Sequence, residues 1–217
     1  MSQSIIPIAV LISGRGSNLQ ALMDAGDEGR LRAKVRVVLS NRPDAAGLVR
    51  ARAAGIETLV VPHGDYATRE DYDLAISSLL RERGVELVCL AGFMRMLGPA
   101  FCSAFPDAIL NIHPSLLPAF PGVDAQLQAL RHGVKVTGAT VHLVIPERDA
   151  GPIVEQAAVR VLDEDTEATL GKRILQVEHR IYPTAAQRIL SEPWRVEGRR
   201  VVFLQDETPR TASAAPR

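Results

Sequence analysis

Cysteine is scarce in this chain: only Cys89 and Cys102 occur in 217 residues, and Cys89 falls inside an apolar strand pattern. Two thiols so placed argue against a disulfide framework and for reduced side chains in a cytosolic protein. An excess of either charge is also missing, with Lys plus Arg 25 against Asp plus Glu 25. That balance supplies no basic field for nucleic acid and no polybasic stretch for an anionic membrane, so the expected partners are small molecules. Nowhere do about 18 apolar residues run uninterrupted, which excludes a hydrophobic membrane-spanning helix. The first residues lack the basic, apolar and small-residue succession of a secretory leader. A cytoplasmic protein with no nucleic-acid or membrane partner is the expectation. No internal repeat is found.

What is present is a hydrophobic fraction of 47%, enough for one sizeable core. The expected organisation is a single α/β domain over residues 1–205. The Pro-, Thr-, Ser- and Ala-rich residues 206–217 hold too little apolar surface to offset chain entropy and read as a disordered tail.

Apolar runs at 5–12, 35–39, 58–61, 86–91 and 108–112 read as strands, and helical patterns at 19–23, 45–54 and 69–83 lie between them. Strands alternating with helices predict a Rossmann-like, open, mostly parallel twisted sheet with helices on both faces. The second half changes character. Residues 137–144 and 153–162 read as longer, partly alternating strands and predict an antiparallel extension. Residues 167–190 repeat Leu170, Ile174, Val177 and Ile181 at helical spacing, with Pro183 expected to bend or interrupt the helix. Residues 196–204 read as a terminal hairpin around Glu197 and Gly198.

Gly14, Arg15, Gly16, Ser17 and Asn18 follow the first strand and open a helix, where backbone N–H groups and the helix's positive end converge on a place for phosphate. The loop fails the dinucleotide fingerprint: Leu19 occupies the third glycine position, and the second strand ends in Asn41 instead of an acid. It also lacks the Gly-Lys-Ser/Thr of nucleoside triphosphate loops. A phosphate monoester fits better than NAD or ATP, and neither a nicotinamide cofactor nor a metal is expected. A tight turn needing positive φ explains the same glycines equally well.

Asn111 and His113 stand where the fifth strand ends, followed by prolines at 114, 118 and 121. An amide donor beside an imidazole suits acyl transfer, one holding a carbonyl oxygen while the other manages a proton. The competing reading is a buried, hydrogen-bonded strand-end histidine. Leu117-Pro118 is a candidate cis bond. Asp149, in a loop adjoining the same sheet end, is the best-placed carboxylate to orient His113, though it equally suits the start of a turn before Gly151 and Pro152. His142 reads as a half-buried strand residue, and His132 as a complement to a helix dipole.

With these residues in hand, the chain resembles the glycinamide ribonucleotide formyltransferase family, folate-dependent enzymes of purine synthesis, from about residue 8 to 183. The resemblance rests on Ser13 to Gln20, Ala91 to Leu97, Asn111 to Gly122, Lys135 to His142, Asp149 to Ile153 and Glu178 to Pro183, in that order and spacing. It implies that the loop from Gly14 to Asn18 binds the ribonucleotide phosphate and that Glu178, otherwise an ordinary helical surface charge, grips the ribose. It further implies that Asn111, His113 and Asp149 carry formyl transfer from 10-formyltetrahydrofolate as co-substrate. Met94, Arg95, Met96 and Leu97 would embrace the folate, joined by Val144 and Ile145 of the 144–149 loop. Arg95 would pair with the folate's glutamate carboxylate, a task suited to a guanidinium fork and one in which Arg69 assists.

Asp124 departs from the pattern, standing where a His commonly follows the Pro-Gly turn, and is expected to act as a helix N-cap. Two alternatives share the scaffold: a formyltetrahydrofolate deformylase, which would release formate without an amine acceptor, and a catalytically silent phosphate- or folate-binding module. Edge strands invite pairing, so a homodimer is an expectation.

Overall fold

The computed structural model of the chain describes residues 5–204, and the expected tail at 206–217 lies outside them. Strand β1 (Ile6–Ile12) is the middle of five parallel strands. The chain winds outward on one side of it through α1 (Ser17–Asp27), β2 (Ala33–Ser40), α2 (Ala46–Ala53) and β3 (Glu57–Val60). It then returns through α3 (Arg69–Arg81) to β4 (Leu87–Leu90) on β1's other side, followed by α4 (Pro99–Ala104) and β5 (Ile109–His113). These five strands are parallel. Helix α5 (Ala125–Arg131) leads to β6 (Val136–Leu143) and β7 (Ile153–Arg160), which add antiparallel to β5 and to each other. Helix α6 (Glu167–Ser191) precedes the hairpin β8 (Trp194–Glu197) and β9 (Arg200–Phe203). The sheet order is β3-β2-β1-β4-β5-β6-β7-β9-β8, so the mostly parallel sheet and the antiparallel extension are both present.

Buried on both faces, the parallel strands need apolar side chains pointing each way, and β1 supplies them. Ile8, Val10 and Ile12 pack with α1, α2, α5 and α6, while Ala9 and Leu11 face α3 and α4. Each fully buried aliphatic residue contributes about 1.5–3 kcal/mol.

Pro183 does not interrupt the helix: α6 runs through it for 25 residues. Pro183 cannot donate to the carbonyl of residue 179, but Tyr182, Pro183, Ala185 and Ala186 are all buried. Packing holds the helix where its local propensity would end it. The Leu117–Pro118 bond is cis.

Candidate active site

The order of winding reverses between β1 and β4, and open α/β sheets bind ligands beyond the carboxyl ends of strands at such a point. Here Ser13 joins the strand ends. Its backbone N–H donates to Gly92 O (3.0 Å) and its hydroxyl to Asn41 Oδ1 (2.6 Å), while the hydroxyl accepts the Met94 N–H (2.8 Å).

The loop after Ser13 is shaped by α2. Gly16 lies at φ 73°, and a Cβ there would sit 2.6 Å from Gly47 Cα. Gly47 N donates to Gly14 O at 3.0 Å. The tight-turn reading is therefore correct for Gly16. Gly14 differs, because a Cβ there would meet open space. No side chain caps α1 at Gly16, so the helix's first amides are left for another acceptor. Gly14, Arg15, Gly16, Ser17 and Asn18 together line a cavity of about 850 Å³ whose opposite wall is α6.

Glu178 comes to this cavity from α6. Tyr182, one turn later, places its hydroxyl 3.0 Å from Leu90 O and 3.1 Å from Leu110 O, seating the helix on β4 and β5. Far from being a surface charge, Glu178 is only 6% exposed and accepts from Asn18 Nδ2 at 2.7 Å. Burial pushes its carboxyl above the usual range, opposed by the Asn18 hydrogen bond and the charge of Arg15. Asn18 Oδ1 is buried without a partner among the described residues.

A second cavity, of about 450 Å³, shares Asn18, Gly92, Met94, Gln126 and Glu178 with the first and contains Asn111, His113 and Asp149. Strand alternation puts Asn111 and His113 on one face of β5. His113 Nε2 lies 2.9 Å from Phe120 O, and since a carbonyl only accepts, Nε2 carries hydrogen. The other ring nitrogen, Nδ1, lies 3.7 Å from Asp149 Oδ2. The aspartate and the imidazole, separate in sequence, are neighbours.

Asp149 is held tightly. Its Oδ2 accepts the Gly122 N–H at 2.7 Å, and Arg199, in the β8–β9 turn, donates to its carbonyl at 3.3 Å. It adopts φ 50°, a left-handed conformation that Asp tolerates better than most residues. Gly151 lets the loop descend onto β6, since any Cβ there would fall 1.8 Å from Leu143 O. The proline-rich loop opposite is fixed as much by hydrogen bonds as by its prolines. Thr140 Oγ1 donates to Ser115 O (2.7 Å) and accepts from Leu117 N (3.0 Å) and Gln156 Nε2 (2.9 Å).

His142 is the residue that sequence reasoning misjudged. It is 2% exposed, not half-buried, and pairs with Asn111 across the β5–β6 ladder. Its Nδ1 donates to Leu143 O at 2.8 Å, so Nε2 is free to accept from the Asn111 amide nitrogen 3.1 Å away. Burial lowers its pKa, against a raising hydrogen bond to Leu143 and the charge of Asp149, whose Oδ1 is 3.8 Å from Nε2. A polar Thr140 and His142 on one face of a strand was the available signal.

The remaining expected residues divide. Met94, Arg95 and Met96 line the second cavity, whereas Leu97 is 3% exposed, its side chain packed in the α3/α4 core. Val144 and Ile145 are half-buried and Arg69 is exposed, all three outside the lining of either cavity. Asp124 occupies the N-cap position of α5, but at φ 56° its side chain makes no capping bond and lines the second cavity instead. His132 behaves as expected, its Nδ1 donating back to Gln128 O at 2.9 Å.

A carboxylate-flanked imidazole and an amide, sharing one cleft with an uncapped helix start at a sheet's switch point, define a group-transfer enzyme of the α/β class. The pattern of formyl transferases matches residues 6–186, and the chain belongs to the formyl transferase family. It is similar to the glycinamide ribonucleotide transformylase 1 of Symbiobacterium toebii, with 53% identity, a TM-score of 0.91, and 93% of this chain and 95% of that one covered. The phosphoribosylglycinamide formyltransferase of Escherichia coli (strain K12) is 44% identical over 88% of each chain. The trifunctional purine biosynthetic protein adenosine-3 of Homo sapiens is 50% identical over 85% of this chain, which matches only 18% of that longer protein.

Proposed function

We propose that this chain transfers the formyl group of 10-formyltetrahydrofolate to the primary amine of glycinamide ribonucleotide, giving formylglycinamide ribonucleotide and tetrahydrofolate. The observation that carries the reading is that the two cavities share Asn18 and Glu178, with the uncapped start of α1 at one end and Asn111, His113 and Asp149 at the other.

In this reading the backbone from Gly14 to Asn18 receives the phosphate, and Glu178 with the unpartnered Asn18 Oδ1 accepts from ribose hydroxyls. The amine, with a pKa of about 8 for an α-amino-like group, is partly neutral at cytosolic pH and attacks the formyl carbon directly. The Asn111 amide and the imidazolium of His113 hold the resulting oxyanion, each donor contributing roughly 3–4 kcal/mol to the transition state. His113 exchanges its proton at Nδ1, the nitrogen facing Asp149, because Nε2–H is committed to Phe120. Asp149 stabilises the imidazolium. Through water it carries the proton that the amine nitrogen loses after attack to the folate nitrogen as the carbon–nitrogen bond breaks. No covalent enzyme intermediate forms.

Met94, Arg95 and Met96, the members of the expected folate set that line the second cavity, embrace the folate, with Arg95 serving its glutamate carboxylate. The reading takes residues 1–205 as one catalytic domain in the cytosol, with small-molecule partners, no metal, nicotinamide or nucleic acid, and self-association into a homodimer.

The test is an assay of purified protein with 10-formyltetrahydrofolate, in the presence and absence of glycinamide ribonucleotide. Tetrahydrofolate released only with the amine present is the expected result. Formate released at the same rate without it would replace transfer with hydrolysis, and binding without any product would leave a silent module.

A further inference from the structure

Helix α3 carries a carboxylate where its pattern calls for an apolar residue. Tyr72, Asp73, Ile76, Ser77 and Leu80 form its buried face, and Asp73 is 1% exposed. A buried acid costs folding free energy unless its oxygens are used. Its Oδ2 accepts the backbone N–H of Gly98 at 2.6 Å, and Gly98 ends the 92–98 segment just before α4. That segment walls the second cavity and carries Arg95. Asp73 Oδ1, Tyr72 Oη and Arg95 Nε are all buried with no hydrogen-bond partner among the described residues. Burial raises the Asp73 carboxyl's pKa, while the Gly98 N–H and the charges of Arg69 and Arg95 oppose the rise.

An apolar side chain would hold α3 to this segment without desolvating a charge. What the carboxylate adds is a directed acceptor for one backbone amide and a negative charge behind two cations. We infer that Asp73 is a positioning residue: it seats the 92–98 segment through Gly98 and orients Arg95, so that the guanidinium fork is presented to an anionic ligand tail. Asp73 touches no ligand itself. The inference rests on the reading of Arg95 as partner of the folate's glutamate carboxylate.

The experiment compares wild type, Asp73→Asn and Arg95→Gln with two co-substrates, 10-formyltetrahydrofolate and its analogue lacking the glutamate. Asp73→Asn is expected to raise KM for the glutamyl folate roughly five- to tenfold, the order of a weakened charge-assisted contact. KM for the truncated analogue and for the ribonucleotide should stay within about twofold, less than the weakest such contact. Thermal stability should hold or rise, since a buried charge is removed. A merely structural role would lower stability and move all KM values together, overturning the proposal. If Arg95→Gln leaves the glutamyl-folate KM unchanged, the reading of Arg95 itself fails. If Arg95→Gln raises it and Asp73→Asn does not, only the positioning role fails. Should Asp73→Asn not fold, Asp73→Glu displaces the carboxylate while keeping its charge. A glutamyl-folate KM raised in that variant supports positioning, and an unchanged one refutes it.

Discussion

His142 Nε2 lies 3.1 Å from the Asn111 amide nitrogen, and the carbonyl of Leu143 fixes the hydrogen on the opposite ring nitrogen. The histidine therefore accepts, which turns the Asn111 amide nitrogen inward and leaves one N–H for a substrate oxygen. Replacing His142 with Phe keeps an aromatic ring but removes the acceptor. Turnover should fall about ten- to hundredfold, less than the 10²–10³ loss expected when an oxyanion donor is itself deleted. Both Michaelis constants should change little; steady-state kinetics with each substrate varied decide it, and unchanged turnover would remove His142 from the mechanism.

The same histidine makes stability depend on pH. Burial lowers the folded-state pKa of His142, and of His179 more exposed on α6, so the unfolded chain takes up protons first as pH falls through about 6.5. Stability is then lost on acidification from about 6.5 down to the depressed folded values, and is constant in this contribution above that window. Denaturant unfolding across pH 5 to 8 should show the decline, shallower in His142→Phe.

Glu178 has the opposite sign. Its raised folded-state pKa means the native state holds the proton longer, so stability falls as pH rises through the folded value. Glu178→Gln removes that cost while keeping an acceptor for Asn18. It should unfold at the same or a higher temperature at pH 7, yet raise KM for the ribonucleotide about tenfold, a loss typical of one hydrogen bond to a charged group. A fall in stability with no change in KM would contradict the assignment.

Gly14 and Gly16 should respond differently to alanine. At Gly16 the new Cβ meets Gly47 Cα at 2.6 Å with φ at 73°, so Gly16→Ala should destabilise by about 1–3 kcal/mol. At Gly14 the Cβ enters open space beside the cavity, so Gly14→Ala should fold normally and mainly raise the ribonucleotide KM. Paired melting and kinetic measurements separate the two.

Apolar runs and turn residues made the sheet legible in the sequence, because β1 and β4 are buried on both faces and carry no polar side chain to confuse the pattern. Asn111 and His113 stood out because two polar residues at a strand's end share a face. His142 did not, since its partnership with Asn111 depends on the antiparallel register of β5 with β6, which strand composition does not encode. Glu178 and Asp73 were hidden for another reason: on helices, a charge facing solvent and one facing a neighbouring element have the same local sequence, and only α6 seated by Tyr182 and α3 against Gly98 distinguish them. Pro183 misled because helix propensity is a local quantity while the burial that sustains α6 is not.

Asp149 and His113, 3.7 Å apart, act together in the proposed chemistry, while the loop from Gly14 to Asn18 supplies ribonucleotide binding. Asp149→Asn keeps the acceptor for the Gly122 N–H but removes the charge, and the direct measurement is the single-turnover rate of formyl transfer with both substrates saturating. That rate should fall by about 10²–10⁴, with ribonucleotide affinity by titration within about twofold of wild type. A single-turnover rate equal to that of wild type would contradict the joint action of Asp149 and His113.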